Sequence, residues 1–278
     1  MATILLFGAS GPVGRFLLPL LTARQHVVPV SRTPASADTA WLCADINDER
    51  VVWPAADSVI SLGPLDAFAA WLERCGDAAP RRILALSSMS ADSKRDSVDA
   101  AERALAERLR EAEARVLRCA TGLGGAATLL RPTLIYGAGT DRSLAPIARF
   151  ARRYRILPVP IGARGLRQPV HARDLAHACL AALDAPATHG RTYPVGGGER
   201  LRFDTLLRRL RGSLPGITVP LPVPMFALSL AARWGAAGSL GPAAVQRLRE
   251  PLVADNSAAE RDFHYAPGPF DASAVLPD

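Results

Sequence analysis

The chain has 278 residues, 49% of them hydrophobic and 21% charged, with 33 Lys and Arg against 26 Asp and Glu for a formal net charge of +7. That length suits one large α/β domain, or a large domain with a small lobe, and no run approaches the ~20 apolar residues of a membrane span, so no membrane partner is expected. The four cysteines, Cys43, Cys75, Cys119 and Cys179, form no Cys-x-x-Cys pair, which excludes a disulfide framework and points to reduced thiols in or near the core of a cytoplasmic protein.

Much of the positive charge sits in arginine clusters, one at Arg149, Arg152, Arg153 and Arg155, another between Arg200 and Arg211. With no aromatic platform between them and no nucleic-acid module, they read as solvated helix faces and a cleft that attracts phosphorylated ligands. Nucleic acid is not expected as a partner. No His, Cys or carboxylate spacing suggests a metal site.

The chain opens with strand-type residues Thr3-Ile-Leu-Leu-Phe7, then Gly8-Ala-Ser-Gly11-Pro-Val-Gly14, then an apolar-faced helix interrupted by Pro19. In this strand, loop and helix, Gly8 allows the tight turn, Gly11 lets backbone approach a pyrophosphate, and Gly14 lets the helix pack near the strand with its N-terminus toward the phosphates. The second strand, Val27 to Val30, ends in Ser31-Arg32-Thr33. A carboxylate there would favour NAD; the Arg32 fork suits a 2′-phosphate, so NADP is expected over NAD. The apolar run Ala40 to Ala44 leads to Asp45, either a neighbour of the adenine ring or a turn residue.

Further along, strands are expected at 57–62, 83–88 and 129–137 and helices over Leu65 to Arg74, Val98 to Arg118 and Leu144 to Tyr154, an alternation that builds a parallel sheet covered on both faces. In the second of these helices Leu105, Leu109, Ala112 and Val116 define the face toward the sheet. The Pro-rich stretch 214–224 marks passage into a C-terminal lobe that begins with an apolar helix over Met225 to Trp234.

Taken in order, the glycine loop, Leu129-Leu-Arg-Pro-Thr-Leu-Ile-Tyr-Gly137 and Arg167-Gln-Pro-Val-His-Ala-Arg-Asp-Leu-Ala176 resemble the extended and atypical short-chain dehydrogenase/reductases, in the NAD-dependent epimerase/dehydratase branch. The resemblance implies a doubly wound, parallel-sheet Rossmann domain over 1–190 and a small substrate lobe mostly over 191–278. It also implies a cofactor site of Gly8, Ser10, Gly11, Val13, Gly14, Arg32, Asp45 and Pro132. On the substrate side it implies a phosphorylated small molecule, with Arg167 on a nucleotide diphosphate and Arg247 or Arg249 as a second fork. Surface arginines are the alternative for these. His171 is expected as a hydrogen-bonded strand-end residue and Asp174 as the cap of the following helix.

Catalysis is where the pattern fails. In that family a Ser or Thr after strand five binds the reacting oxygen, a Tyr shuttles its proton, and a Lys four residues on lowers the Tyr pKa. Ser88 matches the first position, with Ser87 or Ser90 replacing it after a small register shift. Lys94 is the only lysine, and Tyr136, Tyr154, Tyr193 and Tyr265 all follow it, so no Tyr-x-x-x-Lys pair exists. One alignment puts Asp99 and Arg103 in those places; the other puts Ser90 and Lys94. Arg103 stays protonated and cannot tune a neighbouring group by losing charge, so it and Asp99 read as an exposed helical ion pair. Tyr136 is expected to shape its loop. Two readings follow: an NADP-dependent epimerase/dehydratase-like oxidoreductase using Ser88, or a non-catalytic NADP-binding regulatory or accessory protein. The sequence carries no signal for the oligomeric state.

Overall fold

The computed structural model describes residues 2–33, 40–141, 143–233 and 245–276. In chain order its elements are β1 (Thr3–Phe7), α1 (Gly14–Thr22), β2 (His26–Ser31), β3 (Leu42–Cys43), β4 (Ser58–Ser61), α2 (Leu65–Cys75), β5 (Arg82–Leu86), α3 (Ser90–Ser93), α4 (Ala100–Gly122), β6 (Ala126–Pro132), β7 (Ile135–Tyr136), α5 (Leu144–Tyr154), β8 (Ile156–Ile161), β9 (Leu166–Arg167), β10 (Val170–His171), α6 (Ala172–Asp184), β11 (Arg191–Val195), β12 (Leu201–Arg202), α7 (Phe203–Ser213), β13 (Val219–Pro224), α8 (Met225–Arg233) and α9 (Ser257–Phe263).

Seven strands form one parallel sheet in the order β11-β6-β5-β4-β1-β2-β3. Their apolar runs are almost continuous because helices cover both faces. Ile4 and Leu6 of β1 pack in the core that includes Leu17 and Leu21 of α1 and Leu175 and Ala176 of α6. Leu5 and Phe7, pointing the other way, join Phe68, Trp71 and Leu72 of α2 and Val116 of α4. Each fully buried large side chain contributes about 1.5–3 kcal/mol, so the two-faced alternation of β1 fixes which helix lies on which side. The order reverses between β1 and β4, and the crevice at the carboxyl ends of these strands is where a doubly wound sheet binds ligands.

Around that frame several expectations need correcting. The single strand expected over 129–137 is two: Pro132 closes β6, and β7 pairs with β10 outside the main sheet. The buried face of α4 is rotated from the expected one, with Leu105 and Leu109 only partly buried and Ala106, Ala112, Glu113 and Val116 inside. Glu113 can be inside because Arg131 pairs with it through both nitrogens, Nε at 2.8 Å; a buried carboxylate without such a partner would be strongly destabilising. Cys43 is exposed, not near-core. The expected end of the lobe helix at Trp234 lies outside the described residues, while α8 itself begins at Met225 as read.

A second core gathers Tyr136, Leu144 and Ala148 with Leu157, Leu206, Leu210, Met225 and Phe270. It therefore draws on α5 and β8 as well as on the C-terminal segments, while β11 and α9, which follow residue 190, pack on the main sheet.

Candidate functional site

Two cavities open along the carboxyl edge of the sheet and share Gly8 and Ser10. The larger, about 630 Å³, runs from Gly11 and Val13 past Ser88 and Pro132 to Asp141 and Leu252. The smaller, about 240 Å³, lies between Ser31, Arg32, Asp45 and Gly63. Together they make one trough over the point where strand order reverses.

The glycine loop is built for close approach. Gly8 holds φ +76°, and a Cβ there would sit 3.2 Å from Leu62. Gly14 lines neither cavity; it lies behind them, where a Cβ would come within 2.3 Å of Ala9 O, so it fixes α1 against the loop. No side chain caps the N-terminus of α1, whose leading N–H groups face the loop with the positive end of the helix dipole. Ser10 Oγ lies 2.8 Å from Ser31 Oγ, which in turn donates to Thr33 O at 2.8 Å, tying the loop to the end of β2. Of the sequence-derived cofactor residues, Gly8, Ser10, Gly11, Val13, Arg32, Asp45 and Pro132 all line the trough.

The serines after β5 separate cleanly. Ser87 donates to Glu113 at 2.5 Å, on the helix side of the sheet. Ser88 and Ser90 line the larger cavity, and Ser88 Oγ accepts from Ser90 N at 3.1 Å, which leaves its own proton free for another acceptor.

Of the groups at the Tyr and Lys positions, Ser90 lines the trough and Lys94, Asp99 and Arg103 do not. Asp99 caps α4, accepting from Ala101 N at 2.8 Å, and Arg103 donates to Ser97 O at 2.7 Å. The expected Asp99–Arg103 ion pair is therefore replaced by two backbone caps. Lys94 Nζ lies 3.7 Å from Glu102; burial, followed by the neighbouring Arg247 charge, lowers its pKa. Lys94 does not line the trough. Tyr136 is buried, with its hydroxyl accepting from Asp271 N at 2.9 Å, and burial pushes its pKa up to about 12. Its ring meets those of His171 and Phe270, so it joins β7 to the C-terminal segment.

On the substrate side the arginines are differently employed. Arg167 is 6% exposed, donates to the carbonyls of Leu166, Glu250 and Arg247 at 2.6–2.8 Å, and lies over the Phe203 ring. Arg247 pairs with Glu102. Both forks are thus engaged within the protein, a departure from the expected diphosphate clamp, because buried carbonyls and Glu102 compete for them locally. His171, not Asp174, caps α6, its Nδ1 accepting from Arg173 N at 3.0 Å, while Asp174 accepts from Gly268 N at 3.0 Å. Gly137 must be glycine beside it, since a Cβ would meet the His171 ring at 2.2 Å.

The sequence reading missed Asp141. Its Oδ1 accepts from the N–H groups of Ser143, Leu144 and Ala145 at 2.7–3.1 Å, and its Oδ2, buried at the cleft, has no hydrogen-bond partner among the described residues. An Asp directly ahead of an apolar helix was the available signal.

No family model matches the chain. A segment of 74 residues, 26% of the chain, is 39% identical to NADH dehydrogenase [ubiquinone] 1 alpha subcomplex subunit 9, mitochondrial, of Arabidopsis thaliana. The segments matched in curated relatives span 18% to 37% of those proteins' lengths. Among solved structures, a short-chain dehydrogenase/reductase superfamily protein from Agrobacterium tumefaciens with bound NAD superimposes with a TM-score of 0.71 at 14% identity, covering 99% of this chain and 94% of that one. UDP-glucose 4-epimerase with UDP-glucose from Thermotoga maritima gives 0.71 at 15% identity over 98% and 96%. Over nearly its whole length the chain therefore shares its fold with these two solved structures.

Proposed function

We propose that the protein binds NADP along the trough and acts as a dinucleotide-binding regulatory or accessory protein, without turnover by a Tyr-Lys relay. The observation that carries this reading is the division of labour around the trough. Gly8, Ser10 and Gly11 leave a bare backbone cradle between an Arg32 end and a Ser88 end, while Lys94, the one amine that could assist a proton transfer, is held at Glu102 outside it. In this reading the adenosine part takes the smaller cavity, its 2′-phosphate meets Arg32, the pyrophosphate faces the N-terminus of α1, and the nicotinamide reaches Ser88 and Pro132. When bound, the nicotinamide would supply hydride chemistry; the protein's own groups bind and orient it. The partial likeness to NADH dehydrogenase [ubiquinone] 1 alpha subcomplex subunit 9, by its name one subunit of a larger assembly, supports the same direction.

An NADP-dependent epimerase/dehydratase-like oxidoreductase is the second reading, favoured by the free Ser88 hydroxyl and the open Asp141 Oδ2 in one cavity. Ser88 would orient a substrate carbonyl and Asp141 would accept from a substrate hydroxyl. The likeness to an epimerase solved with UDP-glucose makes a nucleotide-sugar the first substrate to try. Arg167 and Arg247 would serve such a diphosphate only by exchanging their present partners for it.

The deciding experiment releases any nucleotide that copurifies and identifies it. The loaded protein is then mixed with nucleotide-sugars and small carbonyls while the absorbance of reduced nicotinamide is followed. Bound NADP(H) whose absorbance stays constant, with every nucleotide-sugar recovered unaltered, supports the first reading; a steady redox change, or an epimerised or dehydrated sugar formed with no net redox change, establishes the second.

A further inference from the structure

We infer that the face formed by α5, β8, β13 and α8 docks on an anionic lipid surface. This goes beyond the reading of the trough and does not depend on it. Among the described residues the face gathers most of the large exposed apolar side chains: Ile217 is 85% and Phe226 77% exposed, with Tyr154, Ile161, Val219 and Leu221 also open to solvent. β8 and β13 set Ile156 beside Val219 and Pro158 beside Leu221 on one side of the strand pair, with Ile161 on the other side by alternation, and α8, which carries Phe226, packs against both strands. Patches of this kind on a soluble surface mark an interaction site.

Charge decides what covers it. Residues 142–173 and 205–249 contain no Asp or Glu, whereas Arg149, Arg152, Arg153, Arg155 and Arg164 stand beside the apolar residues. All five lack an ion-pair partner among the described residues, and Arg152, Arg153, Arg155 and Arg164 are exposed. A second copy would bring the same positive face against it. A strand from another protein finds no donors on β13: Val219 N donates to Arg155 O, so by alternation Pro220, Pro222 and Pro224 form the open edge, and none has an N–H. Apolar residues level with a ring of arginines match the boundary between acyl chains and acidic headgroups, where the arginine stems lie along apolar surface and their heads reach phosphate. No helix among the described residues is long and apolar enough to cross a membrane, so the contact is peripheral.

Co-sedimentation of the full chain with vesicles tests this. Vesicles of phosphatidylglycerol in phosphatidylcholine should carry the protein down, pure phosphatidylcholine vesicles should carry far less, and raised salt should release it. Phe226→Glu and the double substitution Arg152→Glu with Arg153→Glu should each lower binding roughly ten-fold or more, with melting temperature and NADP affinity kept. Four results would overturn the inference: no binding to acidic vesicles, equal binding to neutral ones, a dimer that Phe226→Glu abolishes in place of vesicle binding, or duplex DNA outcompeting the vesicles.

Discussion

Arg32 Nη1 lies 3.8 Å from Asp45 Oδ2 across the mouth of the smaller cavity, with the Arg32 side chain 80% exposed. The two sides of the smaller cavity are therefore joined by a weak surface pair, which under the proposed NADP binding an incoming phosphate would replace. Arg32→Ala should weaken NADP binding about ten-fold or more while changing NAD little, since a charged hydrogen bond is worth roughly 1.5–3 kcal/mol. Asp45→Asn should favour NADP, because it removes the competing carboxylate. Parallel calorimetric titrations with both nucleotides check the pair; equal losses for NADP and NAD in Arg32→Ala would refute the assignment.

Gly14→Ala should damage binding without touching ligand. Its new Cβ would strike Ala9 O and Gly8 O at 2.3–2.5 Å, both backbone atoms, so the glycine loop must shift. Loss of nucleotide affinity, with far-ultraviolet circular dichroism preserved, is the expected result. Wild-type affinity in this variant would mean that the loop does not form the cradle.

Ser88→Ala separates the two functional readings. For a binding protein it should leave NADP affinity within about two-fold, a change of under 1 kcal/mol. For an oxidoreductase it should remove about a hundred-fold of turnover, the usual worth of one positioned donor at a reacting oxygen. Ser87→Ala, by contrast, should cost stability and not binding, because that hydroxyl serves Glu113.

Glu113→Ala leaves the Arg131 guanidinium half-buried and without its bidentate partner. Unfolding in urea should show a loss of about 3 kcal/mol or more, the cost of breaking a buried pair from one side. A loss below 1 kcal/mol would show that water, together with the Asp92 carboxylate that Arg131 Nη1 already meets at 2.7 Å, suffices for the guanidinium.

His171 makes stability depend on pH. Burial lowers its pKa below the ordinary 6.5, because the protonated ring is disfavoured where Nδ1 must accept from Arg173 N. The contribution is complete above 6.5 and is lost as pH falls from there through the lowered folded value. Melting temperatures across that window should decline in the wild type and decline less in His171→Asn, which keeps an acceptor at the cap.

The parts of this protein that were legible in the sequence are those decided within a few residues. Gly8, Gly11 and Gly14 announce themselves because a strand, a tight turn and a helix follow one another directly, and Arg32 because it ends the next strand. The roles of Glu102, Glu113 and Asp141 were not legible. Each is an ordinary acidic residue until the fold brings Lys94 and Arg247, or Ser87 and Arg131, or the start of α5, against it. Arg167 misled for the same reason. Its fork turns inward to carbonyls of residues 80 or more positions away or beside it.

The most direct test of the account is a calorimetric titration of the nucleotide-free protein with NADP, followed by the same protein loaded with NADP or NADPH and mixed with the substrate panel. The account predicts a single saturable site, tighter for NADP than for NAD, a reduced nicotinamide signal that no added compound removes, and nucleotide-sugars recovered unaltered from both the NADP- and the NADPH-loaded protein. Absence of binding by NADP, NADPH and NAD alike would contradict it at its centre.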